Sequence, residues 1–159
     1  MSVKSLTRDV RVTADSRMGC VDLTDELRRA IKDTGVVEGC CVVFCAHTTC
    51  ALILNEWEEG VLEDLKGRLE ALVPSDQYYA HDDLSVRTQN LVEGEERRNG
   101  AAHVAGMIVG GTSHAIPVAG GEPLLGRWQR LFLLELDDPK ERTIVFHAFG
   151  LDGTVSPSP

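Results

Sequence analysis

Between residues 39 and 54 the chain reads GCCVVFCA, then HTT, then CALIL, two apolar runs separated by three polar residues. Both runs are too short to be helices that span a core, and continuous apolar stretches of this length suit strands covered by other elements, so two buried strands are predicted. His47, Thr48 and Thr49 then form the joint between them. A sheet-based core follows, and the rest of the chain has to pack around it.

The flanking patterns supply what packs. Residues 3–12 alternate apolar and polar positions, a half-exposed strand whose partner is expected at residues 18–23. Thr24 stands where a helix N-cap belongs, Asp25 and Glu26 face the positive end of the first turn, and Leu23, Leu27, Ala30 and Ile31 make one apolar stripe that Gly35 closes. Val61, Leu62, Leu65, Leu69 and Leu72 recur at helical spacing until Pro74, predicting a helix over 58–73, and Ala101, Val104, Met107 and Ile108 predict another over 100–109 ended by Gly110-Gly111. Strands are expected at 114–118, 128–136 and 142–149. With 159 residues this is one compact α+β domain over 1–150, followed by a flexible tail over 151–159.

Charge narrows the partners. Sixteen Lys and Arg against 25 Asp and Glu give a net charge of −9, a field that repels phosphodiester backbones and anionic lipid surfaces, so neither nucleic acid nor a membrane is an expected partner. No window approaches the roughly 20 apolar residues of a membrane span, and residues 1–12 lack the apolar core of a signal peptide, which makes a cytoplasmic location the expectation. Four of the five cysteines fall within 40–50. Cys41 and Cys45 on one strand would lie about 13 Å apart at about 3.3 Å per residue, too far for a bridge, so reduced and buried thiols are expected.

Candidate chemistry rests on few residues. Residues 75–99 are polar and aperiodic, the longest such stretch in the chain, and loops of that length inside a domain are usually functional. Of the five histidines, His47, His81 and His103 lie in polar or joint-like contexts, and three imidazoles suit a zinc-like divalent ion with an open position for water or substrate. Each also has an ordinary role: a bonded turn for His47, a solvated loop for His81, a satisfied helix flank for His103. Cys45 would share a strand face with His47 as a fourth ligand, while His114 and His147 sit in strand patterns with structural roles. Thr48 and Thr49 offer hydroxyls to a phosphate or carboxylate, or simply fill a strand start. Asn55 and Glu56 are placed at the start of the second helical region, with Glu56 as a capping carboxylate, a partner of a metal-bound histidine or a general base. Residues 95–98 (EERR) read as a solvated charge run in which Arg97 or Arg98 is available to clamp an anion.

Taken in order, AHTTCALILNE (46–56), the 58–74 helix, YYAH (78–81), RNGAAHVAGMIVGGTSHAIPV (98–118) and GGEPLLGRWQRLFLLELDDPKERTIVFHAFG (120–150) resemble the YjbQ-type family, also called secondary thiamine-phosphate synthases. The resemblance implies an α+β fold with mixed sheets and flanking helices, a homotrimer, and a histidine-lined pocket near the subunit boundary. It implies His47, His81 and His103 as the metal set, with zinc as the bound ion or magnesium supporting activity. Thr48, Thr49, Asn55 and Glu56 carry over as pocket residues, and Trp128 and Gln129 match the family's G-x-W-Q strand. The implied activity is a weak joining of hydroxymethylpyrimidine diphosphate and thiazole phosphate, with Thr48, Thr49 and Glu56 in catalytic roles and Asn55, Arg97, Trp128 and Gln129 binding substrate. A non-catalytic trimer that binds a metal or a small phosphorylated or anionic metabolite is one competing expectation, and a metal-dependent hydrolase is another. The chain departs from the family pattern at Glu58-Glu59-Gly60, where an Asp-Pro is common, at Cys45 and Cys50, where small or hydroxylated residues are usual, and in a longer loop over 82–99.

Overall fold

The computed structural model describes residues 1–153, and in it the two apolar runs become strands of different sheets. In chain order the elements are β1 (Val3–Val12), β2 (Cys20–Asp22), α1 (Thr24–Thr34), β3 (Glu38–Cys45), β4 (Cys50–Glu56), α2 (Glu59–Leu72), a single 3-10 turn (Ala80–Asp82), α3 (Gly100–Val109), β5 (Ser113–Ala119), β6 (Glu122–Pro123), β7 (Gln129–Glu135) and β8 (Arg142–Leu151). One sheet runs β1-β8-β3-β5-β6 and the other β2-β7-β4. The resemblance implied mixed sheets; every pairing among the described residues is antiparallel.

The two sheets face each other. Cys41, Val43 and Cys45 of β3 and Ile144, Phe146 and Ala148 of β8 pack against Leu52 of β4 and Leu131 and Leu133 of β7, with Leu27, Ala30 and Ile31 of α1 closing this core. A second layer lies behind the smaller sheet, where Ala51 and Leu134 meet Leu69 of α2 and Ala101, Ala102 and Ala105 of α3. Because β7 is covered on both faces from Leu131 onward, Leu131–Leu134 is a continuous apolar run rather than an alternating one. The same expectation fails in part for β3, whose outward residues are only half covered, Phe44 being 42% exposed.

Several elements depart from their sequence reading. Residues 18–23 do not partner β1; β2 pairs with β7, and β1 lies along β8 from Val3 opposite Leu151 to Val12 opposite Arg142. Thr24 is buried inside the first turn of α1, and its hydroxyl accepts the Leu131 amide (3.0 Å) instead of capping its own helix, while Asp22 accepts the Thr24 amide at 2.8 Å. Gly35 does close α1 in a left-handed conformation (φ 73°). Residues 55 and 56 end a strand rather than begin a helix, and Glu58 is the cap of α2, accepting the Gly60 and Val61 amides, which hold its carboxyl below the ordinary range. Residues 151 and 152 are not a frayed end: Leu151 pairs with both Val3 and Glu38, and the Asp152 carboxylate takes the Ser2 hydroxyl and amide, which bring its pKa down to about 2. Residues 154–159 of the expected tail lie outside the described residues.

Candidate functional site

The polar segment 75–99 folds back over the start of α3 and the joint between β3 and β4, leaving a cleft of about 1050 Å³ lined by Thr48, His81, Arg87, Arg97, Asn99 and His103 among others. Its geometry is set by a carboxylate and a glycine. Asp82, in the 3-10 turn, accepts the Gly100 amide at 2.8 Å and so caps α3 from outside the helix. Gly100 permits that approach, since a Cβ there would stand 2.5 Å from the Tyr79 Cβ. Tyr79 in turn donates its hydroxyl to the Pro74 carbonyl at 2.8 Å, tying the segment to the end of α2.

This clamp sets His81, beside Asp82, against His103 in the first turn of α3, with ring centroids 4.5 Å apart and planes tilted by 55°. Burial first, and then the neighbouring His81, hold the His103 pKa below its ordinary value, so the ring is neutral and keeps a lone pair at neutral pH. Arg87 faces the same pair: its guanidinium lies 3.4 Å from His81 Nε2 and donates to the His81 carbonyl at 3.3 Å. An arginine only donates, so His81 Nε2 is the acceptor in that contact.

His47 does not join them. Its Nε2 accepts the Thr143 amide of β8 at 3.1 Å, and burial, then the Arg142 charge, lower its pKa. A neutral ring bonded in this way carries its proton on Nδ1 and has no second lone pair to give. Among the described residues no three His, Cys, Asp or Glu side chains gather closely enough to hold a metal ion. By the same argument His81, whose Nε2 takes Arg87, has no lone pair to give in this arrangement; of the expected set His103 alone fits as a ligand, while His47 is turned to the backbone of β8.

The remaining expected residues separate into two places. Thr48 is exposed in the cleft, and Arg97 lines it too. Thr49 is buried, its hydroxyl and carbonyl taking Arg142 at 3.0 and 3.2 Å, so it anchors the joint rather than facing a ligand. Arg142 is itself paired in the interior with Glu135, Nε to Oε2 at 2.7 Å. Below the joint the Cys45 and Cys50 sulfurs lie 3.2 Å apart as free thiols, and a hydrogen bond from Cys50 pulls the Cys45 thiol down. Asn55, Glu56, Trp128 and Gln129 are outside the cleft, at the far end of the β4–β7 pair, where Glu56 stands opposite Gln129. Gln129 there accepts the Gly126 amide, and Asn55 the Glu56 amide. Trp128 is 62% exposed beneath Arg127, whose guanidinium carbon lies 4.6 Å from the ring centroid. His114 and His147 have structural bonds, to the Leu52 carbonyl and the Thr7 hydroxyl.

Sequence reasoning missed Arg87, Asp82, Glu135 and Asp137. None carries a spacing signal, because each acts on a partner distant in the chain or inside an aperiodic loop.

The model of the UPF0047 protein YjbQ-like family matches residues 8–151. The chain belongs to the YjbQ-like UPF0047 family. A UPF0047 protein of Archaeoglobus fulgidus is 35% identical over 132 residues, covering 83% of this chain and 92% of its own. One of Mycobacterium tuberculosis is 34% identical, covering 89% and 96%. Among solved structures, a YbjQ-like protein of unknown function from Sulfolobus solfataricus superposes with a TM-score of 0.80 at 29% identity, over 94% of this chain and all of that one. A hypothetical protein from Aeropyrum pernix gives 0.78 at 31%, over 92% and 99%. The YjbQ-like chain has no helix long and apolar enough to cross a membrane among its described residues.

Proposed function

We propose that the His81–His103 cleft binds a small phosphorylated metabolite and joins hydroxymethylpyrimidine diphosphate to thiazole phosphate, the reaction that the family resemblance implies. The observation that carries this reading is the pair of imidazoles 4.5 Å apart in one cleft with two arginines and an exposed threonine hydroxyl. In the reaction the thiazole nitrogen forms a bond to the pyrimidine methylene, the carbon–oxygen bond to diphosphate breaks, and the thiazolium and diphosphate leave with no proton transferred to the nitrogen. The demand on the protein is therefore placement and charge. Thr48 donates to a phosphate oxygen, Arg97 and Arg87 offset the anion, and His103, kept neutral, orients without adding a positive charge that would oppose the thiazolium. A divalent ion, zinc or magnesium, held by His103 would neutralise charge on the departing diphosphate, and His81 would join it only with its Nε2 released from Arg87.

Both precursors with Mg²⁺ are expected to give thiamine phosphate with the wild-type protein and about 100-fold less with His103→Ala, a loss of the size that misplacing a reacting group costs. Equal product from wild type and variant would overturn the reading.

We propose further that the chain self-associates into a homotrimer, as the family resemblance implies. Met107, Ile108 and Trp128 are 77, 52 and 62% exposed, apolar side chains that a contact between subunits would cover. Light scattering at micromolar concentration is expected to give three times the chain mass, and a monomer would contradict it.

A further inference from the structure

Arg87 is the most heavily used side chain of the cleft wall. Its Nε donates to the Gln89 carbonyl (3.2 Å), one terminal nitrogen donates to the Asn90 carbonyl (2.9 Å), and the other meets Glu96 Oε2 at 2.7 Å beside its contacts with His81. The second Glu96 oxygen takes the Val92 amide, also at 2.7 Å. Both side chains line the cleft and retain some access to solvent, Arg87 at 14% and Glu96 at 20% exposure. A carboxylate of the chain itself thus sits on the guanidinium where an incoming anion would have to bind.

We propose that Glu96 is a built-in stand-in for the anionic ligand, and that phosphate or diphosphate oxygens entering the cleft take over Arg87 as Glu96 swings away. This rests on the reading of the cleft as an anion site with Arg87 in its wall and adds to it the residue that holds the anion's place and the exchange that frees Arg87. Three physical considerations favour exchange over a fixed clasp. A phosphate presents more oxygens and more charge to a guanidinium fork than one carboxylate does. Glu96 left in place would repel the ligand across a few ångströms, so both cannot occupy the wall at low cost. The pair is mostly covered but still touches solvent at 14% and 20% exposure, so water can receive the Glu96 carboxylate as it parts. Until a ligand arrives, Glu96 also keeps the Arg87 charge from standing unpaired beside His81 and His103.

The test is titration of the full-length protein with inorganic diphosphate by calorimetry, paired with hydrogen exchange of the Val92 amide. Glu96→Gln, which keeps an oxygen for Val92 but removes the charge, is expected to bind diphosphate about tenfold more tightly than wild type. Arg87→Lys, which keeps the charge but loses the fork, is expected to bind about tenfold more weakly. In the wild type, saturating diphosphate is expected to speed exchange at Val92, because its acceptor has left; a merely structural Glu96 would leave that amide unchanged or better protected. Diphosphate binding by wild type with equal or weaker binding by Glu96→Gln, or no faster exchange at Val92, would overturn the displacement and leave the anion site standing. Absence of binding by all three proteins would take down both. Thermal melts of the variants, with Arg87→Lys as the conservative one, separate loss of fold from loss of recognition.

Discussion

Replacing Glu135 by alanine is expected to destabilise the protein by about 3–5 kcal/mol, read as a lower urea midpoint at unchanged slope. Glu135 is wholly buried and the Arg142 side chain is 3% exposed. Removing the carboxylate leaves a guanidinium in the interior with only the Thr49 oxygens for company. The Asp137 amide loses its acceptor in the same step, since it donates to Glu135 Oε1 at 3.0 Å. Replacing both partners, Glu135→Leu with Arg142→Met, often restores stability where a buried pair serves no other group. Here it is expected to remain about 1–2 kcal/mol below wild type, because Arg142 also satisfies the Thr49 carbonyl and hydroxyl and nothing else takes that task. Full recovery in the double variant would show that the joint does not need Arg142. The pair matters to the site because Thr49 follows Thr48 directly, so the ion pair fixes the segment that presents a hydroxyl to the cleft.

What the sequence made legible was local. Helix α3 was readable from the spacing of Ala101, Val104 and Met107 and from Gly110-Gly111, and its bounds match. Gly35 was readable because a helix end needs a left-handed residue. Pairings were not, because which strand lies beside β1 depends on β8, more than a hundred residues away, and a short apolar-rich segment at 18–23 offers a nearer but wrong partner. Glu56 was assigned to a helix start because Asn and Glu commonly stand there, while the continuation of β4 depended on β7 running alongside it. The same distinction governs the site. His81 and His103 are 22 positions apart and meet only because Asp82 caps α3, a contact without any sequence period. His47 sat in the right kind of joint, yet the first turn-free amides of β8 need an acceptor and its ring supplies one to Thr143. The cleft was therefore legible as a set of residue types, and its membership was decided by backbone groups that patterns do not describe.

Asp137 should show the second large effect, and the one most sensitive to acid. It is 6% exposed at the turn after β7, where it accepts Asn99 Nδ2 at 2.8 Å, Lys140 Nζ at 2.6 Å and the Asp138 amide at 2.8 Å. Asn99 immediately precedes α3, so this carboxylate holds the helix start that carries His103. Burial alone would raise its pKa, but the donors from Asn99, Lys140 and Asp138 outweigh that and hold it below the ordinary 3.8. A carboxyl depressed in the folded state binds its proton more readily when unfolded, so its contribution is complete well above 3.8 and declines as pH falls through the lower folded value. Asp137→Ala is expected to cost about 2–3 kcal/mol at neutral pH, since it strands three part-buried donors, one of them charged, and to weaken diphosphate binding by loosening the start of α3. Asp137→Asn keeps an acceptor for Asn99 but loses the ion pair to Lys140, so it should cost about 1 kcal/mol and flatten the stability profile below pH 4 relative to wild type. Urea titrations of the three proteins from neutral pH down to the acid limit decide it. An unchanged acid slope in Asp137→Asn would assign the pH dependence to other carboxylates and leave Asp137 a purely neutral hydrogen-bond acceptor.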